Sequence, residues 1–168
     1  TYGERASLDW FFASPHGRYV AFGISANGDE RSTLRIVEVA TGRKVALIPV
    51  GELPTKIDIS PDGGHAYVPS ERSNTVAVLN LSLNVVAAEL PAGVRPYAVA
   101  ISTDGKYLLV SGTGSNTITV IDVGTHKVLR RIPVGDDPHH VIFGPGGGFA
   151  YVLNRGSNSV SILQMANR

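Results

Sequence analysis

Two adjacent histidines, His139 and His140, are the residues of this sequence whose types best suit chemistry. Imidazole is a common metal ligand and the usual acid–base group near neutral pH. The pair follows Pro138, where a strand is expected to begin, and neighbouring residues on a strand point to opposite faces. Both histidines could bind one metal ion only if they precede the strand, where side chains do not have to alternate. The pattern therefore predicts packing or hydrogen bonding, not metal or haem ligation.

Two other motifs have a chemical and a structural interpretation. The run Gly144-Pro145-Gly146-Gly147-Gly148 has the glycine content of a phosphate loop, but it lies between two expected strands and lacks the Lys-Ser/Thr of a P-loop. Asp62 and Asp104 occupy equivalent turns, where an Asp side chain bonds nearby backbone N–H groups. Carboxylates paired for acid–base catalysis would have to converge, so both motifs are interpreted as turns.

A repeat of 42 residues explains why these motifs recur. The pairs Ser73-Asn74, Ser115-Asn116 and Ser157-Asn158 are separated by this interval. Prolines and two sets of glycines share the spacing: Pro54, Pro96 and Pro138; Gly51, Gly93 and Gly135; Gly63, Gly105 and Gly147. The period is typical of a four-stranded propeller blade of about 40–45 residues.

The sequence between the markers predicts short strands joined by turns. The most complete unit, residues 94–135, has strand-like runs at Tyr97–Ile101, Tyr107–Gly112, Thr117–Val123 and Val128–Val134. The second unit has them at Lys56–Ile59, His65–Pro69, Thr75–Leu81 and Val85–Leu90, and the last at His140–Phe143, Phe149–Leu153 and Ser159–Gln164. First and second strands are apolar on both faces, as in stacked sheets, third strands alternate as expected nearer the rim, and charged fourth strands suit an exposed edge.

The predicted fold class is therefore all-β, a β-propeller of four blade-like units of four-stranded antiparallel sheet. We expect a single domain over residues 1–168, with blades at about 8–51, 52–93, 94–135 and 136–168. The last blade is incomplete because no fourth strand follows Gln164. The first unit has four extra residues, which we place in the turn around residues 25–31 because insertions there disturb packing least.

Superposition of the repeats predicts a polar group of residues at one end of the central channel. Its members are Thr55, Lys56, Arg95, Tyr97, His139 and His140. The group is mildly cationic and could bind a small anion or a polar peptide segment. The alternative is ordinary loop polarity. Equivalent positions do not repeat a ligand set, and we expect no cofactor and no metal.

Composition excludes several classes of function. The chain has 168 residues, a formal net charge of +1 and no cysteine. It therefore offers no clustered cations for nucleic acid or a membrane surface, no disulfide scaffold and no thiolate nucleophile. No apolar run approaches the roughly 18 residues that span a bilayer, and we expect no signal peptide in this sequence. The absence of cysteine fits the cytosol or a bacterial periplasm. The localisation is unknown, with a periplasmic or secreted bacterial origin slightly favoured.

The last three units share short motifs: Ser60-Pro61-Asp62-Gly63, Ser73-Asn74-Thr75-Val76, and Tyr151-Val152-Leu153-Asn154 with Ser157-Asn158-Ser159-Val160. With these motifs, the units resemble the YVTN-type propeller repeat of bacteria and archaea. The resemblance covers about residues 52–168. In the third unit, Thr103 replaces the proline and Leu109-Val110 replaces Tyr-Val. The resemblance implies a propeller fold.

The first unit has different motifs: Leu8-Asp9-Trp10, Ser14-Pro15, Ala21-Phe22-Gly23 and Ser32-Thr33-Leu34. In this combination it resembles the first propeller blade of prolyl oligopeptidase-family serine peptidases. In that family the propeller gates a separate hydrolase domain, but this sequence has no G-x-S-x-G nucleophile elbow. A peptidase-like unit joined to YVTN-like units suggests a hybrid, natural or designed.

The function expected from the sequence is a non-catalytic scaffold or binding module, engineered or recombined, with no evolved activity. The alternative is the propeller fragment of an enzyme: the gate of a serine peptidase or part of a YVTN-type redox or lactonase-related protein. We expect self-association, because an open half-ring would expose apolar blade faces and two copies could complete an eight-bladed ring. A small anion or peptide at the channel end is the other expected partner.

Overall fold

Four antiparallel β-sheets follow one another along the chain in the computed structural model, which describes residues 6–13, 17–26 and 33–165. Within each sheet the strands lie in sequence order, so every pairing joins neighbours in the chain. The predicted all-β fold built from four blade-like sheets is confirmed.

Strands are numbered along the chain. The first sheet contains β1 (Ala6–Ala13), β2 (Tyr19–Ala26), β3 (Thr33–Glu38) and β4 (Lys44–Pro49). The second contains β5 (Asp58–Ile59), β6 (His65–Ser70), β7 (Thr75–Asn80) and β8 (Val85–Pro91). The third contains β9 (Pro96–Ile101), β10 (Tyr107–Gly112), β11 (Thr117–Asp122) and β12 (Lys127–Pro133). The fourth contains β13 (Pro138–Phe143), β14 (Phe149–Asn154) and β15 (Ser159–Gln164).

The predicted strands agree with these bounds to within two residues at either end, and the largest differences are at the starts of the inner strands β5 and β13. The inner strand of the second sheet was expected to start at Lys56, but β5 is only Asp58–Ile59. An isolated bridge between Pro54 and Ser70 lies ahead of it. The insertion predicted in the turn around residues 25–31 falls largely on residues 27–31, which lie outside the described residues.

The repeated turns have the conformations that their residue types predict. Asn74, Asn116 and Asn158 adopt φ of 57°, 51° and 50°, a left-handed conformation that asparagine tolerates. Asp62 Oδ1 accepts the Gly64 N–H at 2.9 Å, and hydrogen bonds from Ser60 and this N–H lower the pKa of its carboxyl. The glycine run at 144–148 forms a single 3-10 turn, Pro145–Gly147, between β13 and β14.

Apolar side chains fill the space between consecutive sheets. Leu34 and Ile48 of the first sheet pack with Leu79 of the second, and Tyr67 of the second packs with Val110 of the third. A further cluster joins the third and fourth sheets. Each of the first three sheets is therefore covered on one face by the next sheet in the chain, as in the stacked blades of a propeller.

The third strands are more buried than their alternating sequence suggests. The four central residues of β7 and of β11 are buried on both faces. The hydroxyl of Thr119, which is 0% exposed, donates a hydrogen bond to the Ala92 carbonyl at 3.2 Å. Threonine is tolerated there because the turn that enters the third blade supplies the acceptor.

The outer edges are exposed as expected. Most residues of β4 and β12 are exposed, including Arg130 and Arg131. Among the described residues the last sheet has three strands, one fewer than each of the others, as predicted. In the part of the chain that the structure describes, no helix has the length and apolar character needed to cross a membrane.

Candidate binding site at the axial end of the inner strands

One extra residue interrupts the pairing of each inner strand at the same place in the repeat. In the fourth sheet, Pro138 pairs with Asn154 and His140 with Leu153, which leaves His139 unmatched in a β-bulge. The registers of the second and third sheets shift by one residue in the same region. The repeat places Thr55 and Tyr97 at the equivalent positions. Bulges bend a strand and redirect a side chain, so the strict alternation expected for His139 and His140 does not hold.

These three bulge residues contact one another in chain order. The Thr55 hydroxyl donates a hydrogen bond to the Tyr97 carbonyl. The rings of Tyr97 and His139 stack with centroids 3.8 Å apart and an angle of 30° between their planes. The innermost strands β5, β9 and β13 pack side by side, which sets this spacing. We call Thr55, Lys56, Tyr97, His139 and His140 the axial cluster.

Desolvation and positive charge act together on the two imidazoles. The pKa of His139 is lowered chiefly by desolvation and then by the charge of Arg155, with Asp137 opposing the shift and Lys56 adding to it. The pKa of His140 is lowered by desolvation and by the charge of Lys56. Both histidines are therefore neutral at pH 7, where each imidazole offers one donor and one acceptor.

His139 has one buried nitrogen that is not used. Its Nδ1 has no hydrogen-bond partner among the described residues. Nearby, Arg155 Nε donates to Asp137 Oδ2 at 2.7 Å, so that pair is satisfied within the fourth sheet. Sequence reasoning missed this ion pair, although Asp137 immediately precedes Pro138.

Arg95 does not join the axial cluster through any described contact. Its guanidinium forms an ion pair with Glu71 of the second blade, with Nε donating to Oε1 at 2.7 Å. Glu71 is mostly buried, whereas the Arg95 side chain is 63% exposed. The backbone of Arg95 has φ of 52°, in the turn that leads into β9. Here Arg95 links two blades.

A second interaction between inner strands was not predicted. Asp58 Oδ2 accepts the N–H of Ile101 at 2.9 Å, and Oδ1 accepts the N–H of Ile59 at 2.9 Å. Ile101 lies on the edge of β9 that pairs with no described strand. Burial raises the pKa of the Asp58 carboxyl, against the lowering effect of both N–H groups. The side chains of Thr55 and Asp58 thus both bond to backbone groups of β9, the next inner strand.

The repeated asparagines also connect blades. Asn74 Oδ1 accepts the N–H of Arg95 at 2.8 Å, and Asn116 Oδ1 accepts the N–H of Asp137 at 3.0 Å. Asn116 Nδ2 also donates to Asp136 Oδ1 at 2.8 Å. The repeat marker therefore fixes the entry of each following inner strand. The sequence showed the spacing but not the partner.

Two further features of the surroundings bear on chemistry. Across the described part of the chain, no three His, Asp or Glu side chains are grouped so that they could hold a metal ion. An open, mainly apolar cleft lies between the first two sheets, bordered by Ala21, Leu34, Ile57 and Leu81. It has few polar groups to orient a ligand, in contrast to the axial cluster.

Comparison with known proteins agrees with this geometry. A model of the YNCE-like beta-propeller family matches residues 40–144, which is more than half of the sequence. The chain belongs to the YNCE-like beta-propeller family. The match includes the second and third blades and begins within the first. None of the curated proteins matches the sequence significantly.

Solved structures share the same fold at low identity. A hydrazine synthase chain from Kuenenia stuttgartiensis superposes with a TM-score of 0.78 at 22% identity, over 92% of this chain and 57% of that one. A functionally unknown protein from Desulfotomaculum acetoxidans gives 0.75 at 17%, over 94% and 55%. A 6-phosphogluconolactonase candidate from Bacteroides uniformis gives 0.78 at 17%, over 99% and 54%. The chain spans little more than half the length of these structures, and the similarity establishes the fold alone.

Proposed function

We propose that this propeller is a non-catalytic binding module that holds a small anion at the axial cluster. The observation that carries the proposal is the position of Lys56. Its charge acts on both His139 and His140, and no carboxylate among the described residues pairs with it. An ammonium that no described carboxylate neutralises, close to two imidazoles, is suited to a carboxylate, sulfate or phosphate group.

The lowered pKa values of the histidines give this site a defined pH dependence. A bound anion favours the protonated imidazoles, so binding raises their pKa and takes up protons. Anion affinity should therefore increase as pH falls through and below about 6.5. Sulfate is the suitable probe because its own charge does not change in this range.

Calorimetric titration with sulfate tests the proposal. We expect binding to the wild-type chain that weakens on Lys56→Met by roughly tenfold or more, the loss of about 1.5–3 kcal/mol for a charged hydrogen bond. Lys106→Met is the matched control, because Lys106 lies in a turn beside Asp104 with 3.4 Å between Nζ and Oδ2. Absence of binding to the wild type, or an equal loss in both variants, would overturn the proposal.

The second candidate is that the chain is the propeller part of an enzyme, such as the gate of a serine peptidase or a redox or lactonase-related protein. The neutral state of His139 and His140 favours it, because neutral imidazole is the form that acts as a general base. One structural neighbour is described as a 6-phosphogluconolactonase candidate. Hydrolysis of 6-phosphogluconolactone by the wild type, lost in a His139→Asn/His140→Asn double variant, would support the enzyme and displace the non-catalytic module.

A further inference from the structure

The fourth sheet has an apolar face that no described residue covers. Six large apolar side chains lie on the face opposite to buried Val141, Ala150 and Val152, and they are 38–62% exposed. They are Ile142, Phe149, Tyr151, Leu153, Val160 and Ile162. Contiguous apolar surface of this kind is characteristic of interfaces.

The repeat identifies what kind of surface would cover this face. Residues 42 positions earlier occupy the same places in the third sheet, and there the fourth sheet covers them. Leu109 and Ile118 are 0% exposed and pack against Val141 and Val152 of the fourth sheet. The exposed face of the fourth sheet is therefore a blade-to-blade face, and the matching surface is the opposite face of another blade.

Two polar groups of the fourth blade also lack the partners that a following blade supplies. Asn74 and Asn116 each accept an N–H from the next blade, whereas Asn158 has the same backbone conformation and no hydrogen-bond partner among the described residues. Along the axis, Thr55 contacts Tyr97 and Tyr97 contacts His139. The series stops at His139, whose buried Nδ1 is unsatisfied.

The first sheet has the features that would continue this series. Its inner strand has a bulge between Leu8 and Trp10, which puts Asp9 at the position of Thr55, Tyr97 and His139. On the outer strand, Ile48 packs against the second sheet, whereas its neighbour Leu47 is 46% exposed. Leu47 therefore lies on the face that a preceding blade would cover.

We propose that the fourth blade of one copy packs against the first blade of a second copy, and that two such contacts close an eight-bladed ring. The arrangement is a two-fold dimer in which both contacts are equivalent. Eight blades lie within the range of about four to eight that propellers adopt. Closure places the β1 bulge of the second copy beside the β13 bulge at His139, so the series of inner-strand bulges continues from one copy into the other. The contact itself does not depend on a bound anion.

Sedimentation velocity across micromolar concentrations tests the proposal. We expect a species of twice the 17.8 kDa chain mass. Ile162→Lys should raise the dissociation constant at least tenfold, because it buries an unpaired charge, without unfolding a monomer in which Ile162 is 62% exposed. Leu83→Lys is the control, since Leu83 is 69% exposed in the turn between β7 and β8. A wild-type monomer at all concentrations, or equal disruption by both substitutions, would overturn the proposal.

A second variant identifies which faces meet. Leu47→Lys on the first blade should disrupt the dimer as Ile162→Lys does. Mixing the two variants should partly restore dimers, because a mixed ring keeps one unaltered contact. If Ile162→Lys disrupts the dimer and Leu47→Lys leaves it intact, two fourth blades pair with each other and the proposed arrangement is wrong. Recovery of higher oligomers in place of dimers would also contradict ring closure.

Discussion

The repeated asparagines allow the strength of the links between blades to be measured by a graded series. Asn116, Asn74 and Asn158 share nearly the same φ and are each preceded by serine. They make two, one and no hydrogen bonds to a following blade among the described residues. Substitution by glycine removes the side chain and suits the left-handed backbone at all three sites, so the conformational effects of the substitution largely cancel between them.

The expected losses follow from the number of bonds. Each hydrogen bond contributes a net of about 0.5–1.5 kcal/mol. Relative to Asn158→Gly, we expect Asn74→Gly to lose about 0.5–1.5 kcal/mol of unfolding free energy and Asn116→Gly about 1–3 kcal/mol. For a chain of this length, each kcal/mol corresponds to roughly 2–4 °C in Tm.

Urea unfolding followed by tryptophan fluorescence and circular dichroism measures these differences. The work should be done at a concentration where sedimentation shows only monomer, because the proposed dimer would give Asn158 a partner. Equal losses at all three positions would show that turn conformation, not bonding between blades, determines the effect. A larger loss at Asn158 than at Asn116 would refute the reasoning outright.

Three further perturbations have defined outcomes. Because the pKa of Asp58 is raised in the folded chain, its protonated carboxyl adds stability at low pH, and this stability is lost as pH rises from about 3.8 through the folded pKa. Asp58→Asn should flatten the dependence of the urea-unfolding free energy on pH across that window, and an unchanged slope would refute this. Because the pKa of His139 is lowered, stability depends on pH in the opposite direction and is lost as pH falls from about 6.5 through the folded pKa. The Tm of His139→Asn should lack this dependence on pH in thermal melts. If the variant retains it, another group causes the effect. Ile118→Ala should cost about 2–5 kcal/mol, because the side chain is fully buried, whereas Ile162→Ala in the monomer should cost under about 1; similar losses in urea titrations would contradict the exposed face.

The fold was predictable because its information is local and repeated. The markers at 42-residue spacing set the number of sheets, and turn residues such as Asn116 set where strands end. The three strands of the last sheet were also visible, as the runs His140–Phe143, Phe149–Leu153 and Ser159–Gln164. Each of these features depends on residues adjacent in sequence.

The site was predictable only in part, because its geometry depends on contacts between blades. Strand periodicity cannot show the bulge at His139, which needs the pairing register of β13 with β14. Arg95 was placed in the cluster by superposition of repeats, but its pairing with Glu71 depends on how two blades pack. The buried Thr119 likewise follows from a carbonyl acceptor supplied by another turn.

Histidine NMR during a sulfate titration tests the proposed binding site most directly. The chain has five histidines, and His65 and His126 lie away from the inner strands, in β6 and in the turn before β12. We expect the imidazole resonances of His139 and His140 to move together with one saturation curve, and the pKa values of these two residues to rise. The resonances of His65 and His126 should not move during the titration. If His139 and His140 do not move, or if the resonances of all four histidines move alike, the axial cluster is not an anion site.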